Sequence, residues 1–179
     1  MVGATFRWCL VGGLAIDRAL GRSTRRHEDL DIAVFRNGQS SFLKWFANWE
    51  LWGSGSPGSG LNRLTTEEHI PDSVHGIWCR RERSEPWAFE MLIEESIGDH
   101  WVYRRNHDVT LPIDRLICSV DGVPVMAPEV VLLYKGKEPR RRDLDDFRAA
   151  LPLLDPRQRD WLKSSLAVAH PTCQWLSNL

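Results

Sequence analysis

No apolar run in this chain approaches the roughly 20 residues that a membrane-spanning helix requires. The opening MVGATFRWCLVGG is too short and too interrupted to read as a signal peptide. Cysteine is scarce: Cys9, Cys79, Cys118 and Cys173 are scattered, with no C-x-x-C and no close Cys/His pairing. That disfavours a structural zinc site and a disulfide framework, and reduced thiols in a cytoplasm are the simplest reading. A charge excess of either sign is also missing. The formal net charge is -1, so a generic basic surface for nucleic acid is not favoured. There is no internal repeat.

What is there is ordinary in bulk and unusual in detail. The chain has 179 residues, 42% of them hydrophobic and 26% charged, enough for one proper core with room for a helical appendage. Nine tryptophans imply a well-filled interior or aromatic surfaces that grip a ligand. Residues 6–11 read as a short buried strand broken by Gly12-Gly13. Residues 14–20 follow as a helix stopped by Gly21, with Leu14, Ala15 and Ala19 on its core face. Residues 30–35 read as a strand. Phe42, Trp45, Phe46 and Trp49 have helical spacing and predict an aromatic helix over 42–51. The stretch GSGSPGSG, 53–60, reads as a mobile loop. Residues 74–81 and 87–93 read as an antiparallel pair joined by a charged connection, and 101–105 as another short strand. Asp121-Gly122 between 117–120 and 123–126 is a strong hairpin signal. After 126 the texture becomes helical, over 128–135, 140–151 and 156–168. The organisation is therefore α+β: a mixed-sheet core over 1–126, then a C-terminal helical region over 127–179 packed on it.

Chemistry concentrates in VGGLAIDRALGRSTRRHEDLDIAVF, 11–35. Asp29 and Asp31 lie two apart on the expected strand, hence on one face and about 6.6 Å apart along it, with Leu30 and Ile32 turned into the core. Two like charges so placed repel. A divalent cation between them would resolve this, and Mg²⁺ takes hard carboxylate oxygens together with substrate phosphates. A solvated polar strand face is the competing reading. Gly12-Gly13 at a helix start exposes backbone N–H groups suited to phosphate; a plain tight turn is its competitor. In WAFEMLIEE, 87–95, Phe89, Met91 and Ile93 share one face and Glu90, Leu92 and Glu94 the other. Glu90 lies inside the apolar run and is the better functional candidate, whereas Glu94 at the strand end reads as solvated.

These features resemble the DNA-polymerase-β-like nucleotidyltransferase superfamily: Gly12-Gly13 at a helix start, Asp29-Leu30-Asp31 on a strand, and Glu90 as a third acid. Within it the chain is most similar to the aminoglycoside 2''-adenylyltransferase group and the related lincosamide nucleotidyltransferases. The similarity runs through 11–34, with Arg22, Thr24, Arg25 and His27. It continues through WVYRR (101–105), DGVPVMAPEVVLLYKGK (121–137), RRRDLDDF (140–147) and the ending HPTCQWL. The resemblance implies a nucleoside triphosphate, ATP or another, bound with Mg²⁺. Asp29, Asp31 and Glu90 would be metal ligands and catalytic residues, with Glu90 as metal ligand, base on an acceptor hydroxyl, or both. Gly12, Gly13, Arg25 and Lys135 would serve the nucleotide. The hydroxyl would attack the α-phosphorus and pyrophosphate would leave.

Each basic residue also has a plainer reading. Lys135 ends a helix, where the dipole favours a cation. His27 alone reads as structural. Arg104 and Arg105 suit an ordinary charged strand end. Arg140 to Arg142 with Asp143, Asp145 and Asp146 read as a salt-bridged surface. Tryptophans 45, 49 and 161 read as packing. The expected partners are a small-molecule hydroxyl acceptor, such as an aminoglycoside or lincosamide, and a nucleoside triphosphate, with no membrane. Two alternatives compete: a toxin-like nucleotidyltransferase acting on RNA or protein, and a catalytically silent nucleotide-binding module of the same fold. The oligomeric state is open.

Overall fold

The computed structural model describes residues 1, 3–55, 58, 60–65 and 69–179. Its elements in the first half are β1 (Trp8–Leu10), α1 (Gly12–Leu20), β2 (Asp31–Phe35), α2 (Gln39–Trp45), β3 (Glu50–Ser54), β4 (Leu61–Leu64), β5 (Gly76–Arg80) and β6 (Phe89–Ile97). Then come β7 (His100–Val102), β8 (Thr110–Pro112), α3 (Ile113–Leu116), β9 (Ile117–Val120), β10 (Val123–Met126), α4 (Pro128–Lys135), α5 (Arg141–Ala150) and α6 (Pro156–Ala169). Strands and helices mix early and helices close the chain, the expected α+β class. The chain divides into two units, one of Met1–Cys9 with Glu28–Ser96 and one of Leu10–His27 with Ile97–Leu179. The helices beyond 126 thus share the second unit with α1 and β7 to β10.

The first unit is built on a sheet of order β4-β3-β5-β6-β2. β2 and β6 run parallel, with Asp31 opposite Glu90, Ile32 opposite Met91 and Val34 opposite Ile93. β5 runs antiparallel to β6, with Ile77 opposite Met91 and Trp78 opposite Glu90. Alternation then divides the sheet into two faces. Ile32, Val34, Met91, Ile93, Ile77, Cys79 and Leu51 form one buried face, closed by Phe6, Phe42, Leu43, Phe46, Ile70 and Val74. The polar members Asp31, Glu90 and Ser54 fall on the other.

Three expectations fail here. Leu30 precedes β2 and is 41% exposed rather than buried. The helix predicted over 42–51 ends at Trp45. Phe42 and Phe46 do enter the core, but Trp45 is 44% exposed and Trp49 lies beyond the helix against Phe46 and Phe89. From Glu50 burial alternates along β3, because pairing with β5 buries Leu51 and Gly53 at period two. Tertiary pairing thus overrides a local helical pattern. Gly53 and Ser54, expected in a loop, belong to β3, and β4 returns antiparallel to it. Ser56, Pro57 and Ser59 of the expected loop lie outside the described residues.

In the second unit Leu10 pairs parallel with Val125, and β9 and β10 form the expected hairpin. Both turn residues have positive φ, 51° at Asp121 and 75° at Gly122, the backbone a type I′ turn demands and Asp-Gly supplies. β7 and β8 pair antiparallel; β8 is too short to announce itself by alternation. Helices α4, α5 and α6 fall within a residue or so of their expected bounds. Pro128 and Pro156 open α4 and α6, where a missing N–H costs nothing. Among the described residues no helix is long and apolar enough to cross a membrane.

Ile77 is wholly buried in the first unit's core. Ile77→Ala is expected to lower unfolding free energy by about 2–5 kcal/mol, measured by urea denaturation with an unchanged slope.

Candidate active site

Opposed residues on adjacent strands project to the same side of a sheet. The Asp31–Glu90 register therefore sets two of the three expected carboxylates side by side on the first unit's polar face. Both are half-buried. Trp78, opposite Glu90, and Trp52, opposite Trp78, continue the same row. Arg80, on this face, ion-pairs with Glu50 at 2.8 Å and covers the Trp87 ring at 4.4 Å. Asp29 lies in the exposed approach to β2, outside the strand, so strand alternation does not govern it. Glu94 corrects its expectation: β6 runs on to Ile97, which makes Glu94 an interior position, and it is 2% exposed.

Hard carboxylate oxygens on one face are the donor set that Mg²⁺ selects. Among the described residues, however, no group of three or more His, Cys, Asp or Glu side chains is gathered closely enough to hold a metal ion. The carboxyl of Glu90 reaches over Gly76 of β5. What exists is a pair on a common face, with Asp29 on the segment leading into it.

The second unit carries the glycine corner. Gly12 has φ 69°, a conformation costly for any side-chain-bearing residue. A Cβ on Gly13 would collide with Arg25 Nη2 and lie 2.7 Å from His27. The small residue therefore admits a guanidinium and an imidazole against the helix start. Asp17, buried on α1, holds this loop in place. It accepts from the Thr24 backbone N–H at 3.1 Å and from its hydroxyl at 2.5 Å, and meets His27 Nε2 at 2.5 Å. Burial alone would raise the Asp17 pKa, but the Thr24 and His27 hydrogen bonds bring it below the usual value.

Arg25 also reaches Asp146 at 3.4 Å. Lys135 contacts that same aspartate at 2.9 Å and Asp143 at 2.6 Å. So Lys135, expected at a triphosphate, is engaged by two carboxylates. The salt-bridged surface expected at 140–146 is a correction. Asp143 and Asp146 are each 1% exposed, because they share the inward face of α5 with Phe147 and Ala150. Of the three aspartates only Asp145, paired with Arg148, is on the outside. Arg140 completes the group through Asp143 at 2.9 Å. Burial pushes the Asp143 carboxyl up, yet the Arg140 and Lys135 hydrogen bonds overcome this and hold it at about 2.

Sequence reasoning missed Asp17, and its signal was an acid inside the apolar run LAID. It also missed the Tyr103–His170 pair, 2.8 Å apart. Arg105 donates to the Tyr103 hydroxyl at 3.2 Å and to the Tyr134 carbonyl at 3.0 Å. Burial, then the charges of Arg105 and Lys137, lower the His170 pKa.

The sequence model of the aminoglycoside-2''-adenylyltransferase family matches residues 2–51. That match, confined to the N-terminal part of the chain, supports a nucleotidyltransferase. The solved structure "Crystal Structure of ANT(2")-Ia in complex with adenylyl-2"-tobramycin" is similar at 13% identity and TM-score 0.53, covering 90% of this chain and 88% of that one. A solution structure of antibiotic-resistance factor ANT(2'')-Ia is similar at 15% identity and TM-score 0.51, covering 90% and 82%. At these identities the likeness is one of fold. A search of curated proteins finds no match.

Two outcomes follow from the charge network. Asp146→Asn leaves Lys135 and Arg25 without a shared counter-charge and is expected to cost roughly 3 kcal/mol by chemical denaturation. Asp143, depressed from 3.8 to about 2, contributes stability fully present above pH 3.8 and lost as pH falls through about 2. That contribution is on the order of 2 kcal/mol. Asp143→Asn is expected to flatten this acid limb in thermal scans while leaving the slope above pH 5 unchanged.

Proposed function

We propose that the protein is a Mg²⁺-dependent nucleotidyltransferase that moves AMP from ATP to a hydroxyl of a small amine-bearing acceptor of the aminoglycoside kind. The observation that carries this reading is the Asp31–Glu90 register on parallel strands, which gives two carboxylates a common face. The matched N-terminal segment and the fold likeness to ANT(2")-Ia support it. What those relatives' names say they modify is the basis for the acceptor class.

In this reading Asp29 and Asp31 would hold Mg²⁺, which neutralises phosphate charge and favours in-line displacement at the α-phosphorus. Glu90 takes the proton from the acceptor hydroxyl, or shares in holding the cation. The backbone N–H groups at Gly12 and Gly13 meet phosphate oxygens at a positive helix end, and Arg25 adds charge beside them. Lys135 acts one step back: it offsets Asp143 and Asp146, which leaves Arg25 with spare positive character toward the nucleotide. The alternatives differ in what they require. A silent binding module has no need of an Asp–Glu register on one face, and an RNA-modifying toxin fits poorly with a chain of net charge -1.

The test is an acceptor screen with labelled ATP and Mg²⁺, read as pyrophosphate release and as the mass gain of one AMP on the acceptor. Asp31→Asn is expected to reduce turnover at least about a thousandfold, since the metal charge loses its anchor, with an unchanged thermal midpoint. Full activity in that variant overturns the assignment. An absence of Mg²⁺-dependent pyrophosphate release with every acceptor would favour the binding module.

A further inference from the structure

Gly76 lies on β5 two residues before Trp78, the register partner of Glu90, and so belongs to the same sheet face as Glu90. Its φ is not in the left-handed region, so the backbone does not call for glycine. Space does. A Cβ placed there would overlap Glu90 Oε1 and come within 2.7 Å of Ser54 Oγ. Ser54, opposite Gly76 on β3, donates to the Gly76 carbonyl at 3.3 Å. The missing side chain thus leaves a notch beside the row Trp52, Trp78, Glu90, in the adjacent row of Ser54, Gly76 and Leu92, and the Glu90 carboxyl lies in that notch.

We infer that Gly76 is a positioning residue for Glu90: its bare α-carbon forms the seat that fixes where the carboxyl oxygens sit on the polar face. Both atoms that an added methyl would meet are ends of rotatable side chains. The backbone therefore has no reason to shift, and the displaced group is the carboxylate itself. A strand glycine kept for volume rather than for φ marks a close approach, here the approach of a charged group. The catalytic meaning of the seat rests on the reading of Glu90 given above; the seat itself does not.

The experiment therefore has two arms. In the first, NMR of the wild-type protein is expected to show cross-peaks from the Glu90 γ-protons to the Gly76 α-protons. Gly76→Ala is expected to shift the Glu90 side-chain carbonyl resonance while leaving the denaturation midpoint unchanged or raised. Absent cross-peaks, or an unmoved Glu90 resonance in the variant, overturn the inference. In the second arm, Gly76→Ala is expected to lower kcat about 10- to 100-fold, as a misplaced reacting group does, with KM for ATP within about twofold. Glu90→Asp shortens the side chain by one methylene and withdraws it from the notch. Its cost is expected to be clearly smaller when introduced into the Gly76→Ala variant than into the wild type. Strict additivity of the two substitutions in an active enzyme overturns the positioning role. If the wild type shows no turnover while the NMR shifts appear as stated, the functional reading falls and the seat stands.

Discussion

The parallel pairing of β2 with β6 is the constraint on which the rest depends. Side chains alternate with period two, so a slip of one residue would exchange the faces of a strand. Met91 and Ile93 would leave the core and Glu90 would enter it. Burying the two apolar side chains is worth a few kcal/mol each, and burying a carboxylate in an apolar core costs several more. The core thus enforces the position of the acids. Ile32 opposite Met91 and Val34 opposite Ile93 hold Asp31 opposite Glu90 as a geometric consequence, with no direct bond between the acids needed to do so.

The second unit solves a different problem, that of keeping charge indoors. Asp143 and Asp146 are nearly inaccessible, and a buried carboxylate without partners would take up a proton. Lys135 from the end of α4 and Arg25 from the loop after α1 meet these acids, tying segments distant in sequence to one face of α5. Such pairs are weak sources of net stability, because desolvation offsets much of the attraction. What they supply is location. Arg25 is placed against Gly13 by the combined demands of Asp146 and of the space glycine leaves, and a cation thereby stands at the start of α1.

Much of this is legible in the residues, for reasons that differ by element. Asp121-Gly122 declares its hairpin because the required φ signs suit few other pairs. Pro128 and Pro156 declare helix starts for a similar local reason. The two faces of β6 follow from alternation in FEMLIEE. The helix expected over 42–51 is wrong beyond Trp45 because its aromatic spacing fits a helix locally, while β5, a partner far along the chain, decides that 50–54 is a strand. Glu94 escapes a local reading because its burial depends on where β6 stops, which the apolar run does not mark. Asp143 and Asp146 read as surface because charge usually means solvent. Their spacing with Phe147 and Ala150, three and four apart, is the helical-face signal that composition overrides.

Gly13 and Gly76 complete the argument, since neither has a positive φ. Each is small because a polar side chain ends where its Cβ would be: Arg25 and His27 at the first, Glu90 at the second. A polar group lying on bare backbone is held by shape on that side. This also explains why sequence alone points to Gly13 and passes over Gly76. Gly13 sits in a pair at a helix start, a pattern with a familiar purpose, whereas Gly76 sits in a strand, where its purpose is visible only once Glu90 is seen beside it.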